Sequence, residues 1–176
     1  ISIIEAWVFF IVLALISFAL LWFTNALTIK LSIFFGFLIV LYPITKRFIS
    51  APQFILGITF GSGSLIAYSL ETSVFSASIL TLYIGIVAWI VSFDTYYALQ
   101  DKNDDLQIGV NSTAILWGEN AVKYSKILHL VFYASLLIIA IINSFSYFFF
   151  FIFLVLFYLF LNQNKLLKNS DFLGAF

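Results

Sequence analysis

The fold class predicted by this sequence is an all-α, polytopic transmembrane helix bundle, and two observations carry it. Of the residues, 64% are hydrophobic and 9% charged, with a mean hydropathy of +1.14, outside the range of a soluble domain. Apolar runs near the ~20 residues needed to cross a bilayer also recur along the chain. They are too long and too uniformly apolar for barrel strands that alternate faces, so helices must satisfy the backbone in lipid. About six complete spans and the start of a seventh are expected. They are expected to form a single domain over residues 1–176, truncated at both ends, since the chain opens on Ile1, contains no Met and stops at Phe176 in what reads as another apolar segment.

The first span is expected from Ala6 to Phe23, directly after Ile1 to Glu5, which has neither the basic region nor the small-residue cleavage site of a signal peptide. The second runs from Ala26 to Tyr42 and ends at Pro43, and Pro52 opens the third, Phe54 to Leu70, because proline fits a first helical turn but not an interior one. The fourth covers Val74 to Phe93. After a long polar connection, the fifth covers Ala121 to Ile142 and the sixth Phe145 to Leu161, with a seventh starting at Phe172.

Alternating sides through these spans sorts the charges. Lys46, Arg47, Lys102, Lys123, Lys126, Lys165 and Lys168 fall on one side and only Lys30 on the other, which places the first side in the cytoplasm. That side also holds the longest polar connection, Asp94 to Asn120, and the short basic turn at Lys46-Arg47 between the two prolines. Function is expected where the loops are long. With no cysteine, disulfides, thiolate ligands and a catalytic thiol are excluded, and the single histidine, His129, leaves no His-rich metal site. Any metal must bind through oxygen.

Half of the chain's acidic residues lie within twelve positions: Asp94, Asp101, Asp104 and Asp105. If the fourth helix continues through them at about 100° per residue, Asp94, Asp101 and Asp105 fall within roughly 40° of one another, with Asp104 about 80° away. Three carboxylates on one face at a membrane edge repel and are poorly solvated, so a hard divalent cation is the natural occupant. Asp104 is expected to pair with Lys46, Arg47 or Lys102. An acidic, solvated loop is the plainer explanation; against it, Asp94 follows Phe93 with no polar spacer, and a Lys-Arg pair that can bind an anion shares the same side. A calcium EF-hand fails. Asp101, Asn103 and Asp105 suit loop positions 1, 3 and 5, but Leu106 stands where Gly is required and Ser112 where a bidentate Glu is required.

The stretch Asp94-Thr95-Tyr96-Tyr97-Ala98-x-x-Asp101-x-x-Asp104-Asp105, with Ile108-Gly109-x-x-Ser112-Thr113-Ala114-x-x-Trp117-Gly118 after it, resembles the second aspartate-rich motif of the UbiA membrane prenyltransferases. Tyr42-Pro43-x-x-Lys46-Arg47-Phe48 and Pro52-Gln53 resemble the same family, and within it the 4-hydroxybenzoate polyprenyltransferases. The likeness implies a bundle of nine helices with a cytoplasm-facing cavity in which Mg²⁺ holds the diphosphate of a polyprenyl donor. The family's first aspartate-rich motif, of the Asn-Asp-x-x-Asp-x-x-x-Asp kind, is not supplied by these residues, and the isolated fragment is expected to be inactive.

The implied chemistry is ionisation of a polyprenyl diphosphate, assisted by Mg²⁺, and attack by the ring of 4-hydroxybenzoate, as in ubiquinone biosynthesis. Asp101 and Asp105 are the leading metal ligands, with Asp94 next. Tyr96 and Tyr97 are candidates to line a cavity that shields the carbocation, and Tyr42 belongs to the expected substrate site. Arg47 is the candidate for the acceptor carboxylate, with Lys46 serving diphosphate or an aspartate. Ser112 and Thr113 either bind diphosphate or cap the next helix. The expected setting is a bacterial or mitochondrial inner membrane with membrane lipid as the surroundings, and no nucleic-acid partner. Other acceptors, a naphthoate or a porphyrin, stay open. So does a divalent-cation transporter, although transport sites usually put acids in mid-span and none lies there. His129 is expected to be a packed, hydrogen-bonded residue, and Gly57-x-x-x-Gly61 a close-packing face.

Overall fold

In lipid the backbone must bond to itself, and the computed structural model, which describes residues 2–168, is helical wherever the sequence is apolar. The helices are α1 (Ile3–Leu21), α2 (Ala26–Phe48), α3 (Pro52–Glu71), α4 (Ala77–Gln100), α5 (Lys102–Ile108), α6 (Thr113–Trp117), α7 (Ala121–Ile142) and α8 (Tyr147–Lys168), with a 3₁₀ turn at Gly118–Asn120. Among the described residues, six helical segments are long and apolar enough to cross a membrane, α6 and α7 together counting as one. The expected seventh start at Phe172 lies outside the described residues.

Local chemistry explains where the boundaries moved. α1 begins three residues early because Ser2 and Glu5 form a capping box, each side chain bonding the other's backbone N–H. α2 does not end at Pro43. It continues to Phe48 with the proline inside it. Pro43 has no N–H to donate, a loss that membrane helices tolerate, and the Thr45 hydroxyl donates to the Tyr42 carbonyl in the next turn (2.6 Å). Pro52 does open α3. α4 outruns the expected span, from its Ser76 cap to Gln100, and so carries Asp94 inside a helix instead of at its end.

α3 packs between α2 and α4, and α4 between α3 and α7. Close approach of α3 to α4 depends on Gly57 and Gly61: a Cβ on Gly57 would meet the Val87 carbonyl oxygen at 2.9 Å, and one on Gly61 the Tyr83 ring at 3.0 Å. Phe35, Leu65 and Ile79 form one core across α2, α3 and α4. Tyr133, Phe153 and Phe160 form a second between α7 and α8. α1 buries none of its residues, and large apolar side chains on α1 and α8 point outward, as suits a surface facing acyl chains.

Hydrogen bonds fix the end of the bundle remote from Lys46. Asn25 caps α2 and reaches across to the Ser69 carbonyl, and the Thr28 and Ser69 hydroxyls pair at 2.7 Å. Asn143 at the end of α7 donates to Ser78 at the start of α4 (2.9 Å). The polar connection expected to carry function is therefore built on helices held at their far ends.

Candidate active site

α4 and α5 are not one helix. At Asp101 the backbone turns to φ −88°, ψ 1°, and α5 starts afresh at Lys102. The common face expected for Asp94, Asp101 and Asp105 assumed one unbroken helix, and α4 stops at Gln100, although the charges of Asp101 and Asp105 both still act on Asp94. Among the described residues no three acidic or histidine side chains converge closely enough to hold a metal unaided. What is assembled instead is a mixed-charge site. Asp94 is half-buried near the end of α4, Asp105 is partly covered on α5, and Asp101 and Asp104 are exposed.

Lys46, from the last turn of α2, acts electrostatically on both Asp94 and Asp105, while Asp101 and Asp105 oppose the charge of Asp94. Burial raises the pKa of Asp105 above the ordinary aspartate range; Lys46 pulls it back, and Asp101 and Asp104 push it further up. The basic turn and the acidic segment are also tied by main chain, since the Asn111 N–H donates to the Lys46 carbonyl (2.9 Å). Gly109, at φ 70°, makes this possible by ending α5 in a left-handed conformation that glycine adopts without strain.

Lys46 and Arg47 point different ways. The Lys46 ammonium is partly covered and lies 5.7 Å from the Tyr42 ring centroid, a cation–π contact, whereas Arg47 is exposed. Tyr42 is half-buried, close enough to Asp94 for that charge to act on it, and helps line a cleft between α2 and α3 with Ile39, Leu56, Thr59 and Phe60. Tyr97 is 44% exposed, with its ring edge-on to Phe93 at 4.9 Å.

Three expected substrate residues are committed to the fold. Tyr96 is only 1% exposed, so it does not line an open cavity. Ser112 is buried and its hydroxyl caps α6 at the Ile115 N–H (3.3 Å). Thr113 is fully buried, with its N–H bonded to Gln53 and its hydroxyl to Thr95. Capping and packing, the second of the alternatives open for Ser112 and Thr113, is what these side chains do. His129 is packed against Tyr133 and Phe160, but its Nδ1 has no hydrogen-bond partner, contrary to expectation.

Gln53, present in the sequence only as part of the Pro52-Gln53 resemblance, takes a role in the structure that the motif does not assign. It is 2% exposed; its Oε1 accepts the Thr113 N–H (2.9 Å), and its side chain also hydrogen-bonds the Asp94 carboxylate. The available signal was a long amide one residue inside an apolar helix that proline had already started.

The donor set fits Mg²⁺ better than any softer metal. Every candidate ligand is a carboxylate, and Mg²⁺ is usually held by one or two carboxylates, with substrate phosphates and water completing the shell. Asp94, on which the charge of Asp105 acts, and Asp105 itself supply that number without a closed protein cage.

Fold and site together define an integral membrane protein whose polar centre sits at one end of an apolar helix bundle. The chain belongs to the UbiA prenyltransferase family, whose family model matches residues 1–171. It is 44% identical over 115 residues to a 4-hydroxybenzoate octaprenyltransferase of Saccharophagus degradans, an alignment covering 65% of this chain and 38% of that protein. It is 46% identical over 121 residues to the 4-hydroxybenzoate octaprenyltransferase of Pseudomonas aeruginosa, covering 68% of this chain and 40% of that one. Each alignment thus spans about two fifths of the length of the curated relative it matches. A solved structure titled as the apo form of a UbiA homolog from Aeropyrum pernix K1 superposes with a TM-score of 0.83 at 22% identity, covering 99% of this chain and 67% of that one, and so shares the fold.

Proposed function

We propose that the whole protein transfers a polyprenyl group from a polyprenyl diphosphate to the ring of an aromatic acid, with 4-hydroxybenzoate, the acceptor named for the relatives, as the substrate. The observation that supports this most is the juxtaposition, at one end of the bundle, of Asp94, Asp105 and Lys46 beside the cleft that contains Tyr42. A charged diphosphate needs the first three groups. An apolar prenyl chain needs the cleft.

In this reading Lys46 offers a cationic contact to the diphosphate, and Asp94 and Asp105, with Asp101 at the joint between α4 and α5, would hold Mg²⁺. When bound, the ion neutralises the negative charge of the diphosphate leaving group. The allylic C–O bond breaks with its electron pair going to diphosphate, the ring carbon bonds to the allylic carbon, and the displaced ring proton passes to the released diphosphate or to water. Tyr42 and Phe60 present aromatic faces along the cleft, which excludes water and favours a passing cation. Arg47, exposed beside Lys46, is assigned to the acceptor carboxylate, which a planar guanidinium holds in a two-point grip. In this reading the site end of a single domain faces the cytoplasm, which the basic-residue split supports, in a bacterial or mitochondrial inner membrane.

The test is transfer of label from a radiolabelled polyprenyl diphosphate to 4-hydroxybenzoate by the full-length protein in detergent or liposomes. Product dependent on Mg²⁺ supports the reading. Absence of product together with Mg²⁺ flux into proteoliposomes replaces it with transport.

A further inference from the structure

We infer that Gln53 is a positioning residue for Asp94, through which the start of α3 and the connection between α5 and α6 jointly set where that carboxylate points. The inference deepens the proposed function and rests on it for its kinetic consequence, though not for the contact itself. Four residues close a circuit. The Gln53 amide donates to Asp94, its Oε1 accepts the Thr113 N–H at 2.9 Å, the Thr113 and Thr95 hydroxyls meet at 2.6 Å, and Thr95 is the chain neighbour of Asp94. Because Thr95 spends its proton on the Val91 carbonyl (2.6 Å), Thr113 is the donor in the hydroxyl pair. Thr95 and Thr113 are both fully buried, so little in this circuit is free to exchange partners with water.

The chemistry demanded at position 53 is narrow. One end of the side chain must accept from a backbone N–H while the other donates to a carboxylate, at a reach that glutamine has. Ionised glutamate offers acceptors alone, lysine and arginine offer donors alone, and methionine offers neither. Pro52 at the first turn of α3 fixes the backbone from which this reach is measured. Asp94 is thereby held from α3 and through its own neighbour Thr95, while Lys46 supplies its counter-charge from α2. A group that serves only to fill the buried N–H of Thr113 would need no donor.

Gln53→Glu separates the two roles. It keeps an acceptor for the Thr113 N–H but loses the donor and sets a second carboxylate against Asp94. In the full-length protein the variant should melt below wild type, and adding Asp94→Asn should recover most of that loss, because donor and acceptor are then exchanged between the two positions. In prenyl transfer, Gln53→Glu alone should lower kcat by at least about tenfold, the order expected when a reacting constellation is misplaced. The KM for 4-hydroxybenzoate should stay within about twofold, since uniform acceptor binding is untouched. Wild-type stability in Gln53→Glu, a loss of stability that Asp94→Asn does not rescue, or rescue accompanied by unchanged kcat each overturns the assignment. If the wild-type protein transfers no prenyl group, the proposed function fails while the melting series still reads the contact on its own.

Discussion

A methyl group on Gly57 tests how closely α3 and α4 must approach for the site to form. The added Cβ would lie 2.9 Å from the Val87 carbonyl oxygen, 3.1 Å from Val91 Cγ2 and 3.2 Å from Val87 Cγ1, where ordinary contact begins near 3.4 Å. The nearest obstacle is backbone, so relief requires the two helices to part by several tenths of an ångström. Overpacking of this kind costs about 1–3 kcal/mol. Alanine also favours a helix over glycine, which would blur a comparison with wild type. Gly63→Ala cancels that contribution, because Gly63 lies in the same helix with nothing within 4 Å of its would-be Cβ. The two variants should therefore differ by roughly 2–12 °C in thermal unfolding of the detergent-solubilised protein, Gly57→Ala being lower, at about 2–4 °C per kcal/mol. Turnover should fall with it: Gln53 is one turn before Gly57 on α3, and Asp94 follows Val91 on α4, so parting the helices parts Gln53 from Asp94. Equal melting temperatures for the two alanine variants would refute the close-packing argument.

Three further outcomes follow from the site. Asp105→Asn should abolish turnover yet raise the melting temperature of the metal-free protein at neutral pH; folding raises the pKa of this carboxyl, so the native state loses stability from the ordinary aspartate range upward as the proton is released, and the amide escapes that loss. An unchanged or lower melting temperature would contradict the crowding of Asp101, Asp104 and Asp105. Arg47→Lys, which keeps the charge and loses the fork, should raise the apparent KM for 4-hydroxybenzoate by about tenfold while changing that for the prenyl diphosphate much less; equal changes in both would move Arg47 to diphosphate binding. Cysteines placed at Ser50 and Gln107, both exposed at the Lys46 end, should resist an impermeant thiol reagent in intact cells while one at Ser73 reacts, and the reverse pattern would invert the orientation.

The spans were legible because lipid imposes one length and one backbone solution, so Ala26, Ala121 and Ile142 fall at the helix boundaries composition suggests. Breaks inside helical stretches were not. Pro43 ends a helix by the rule for helices in water, but a membrane helix keeps its path past a proline. Asp101 carries no sign of a break, because no Gly or Pro marks the turn; the break precedes the α5 stop that Gly109 does mark. For the site, residue type was enough to gather the carboxylates near Lys46, since both belong to one end of the bundle. It also gives Lys46 to diphosphate or an aspartate and Arg47 to the acceptor, but which of the two comes near Asp94 and Asp105 turns on the side of α2 each occupies. It does not show that Tyr96, Ser112 and Thr113 face inward. Gln53 was hidden for a different reason: its partners, Asp94 and Thr113, lie 41 and 60 residues further along, and only the packing of α3 against α4 and α6 brings them to it.

The most direct measurement of the central claim is prenyl transfer to 4-hydroxybenzoate by the full-length protein, assayed with Mg²⁺, after chelation with EDTA, and after Mg²⁺ is restored, for wild type and for Asp105→Ala and Lys46→Ala. The site as described predicts product only when Mg²⁺ is present, recovery when it is restored, and a loss in each variant of about a hundredfold or more, as expected for groups that stabilise a developing anion. Transfer that proceeds undiminished in EDTA, or both variants turning over like wild type, would contradict it.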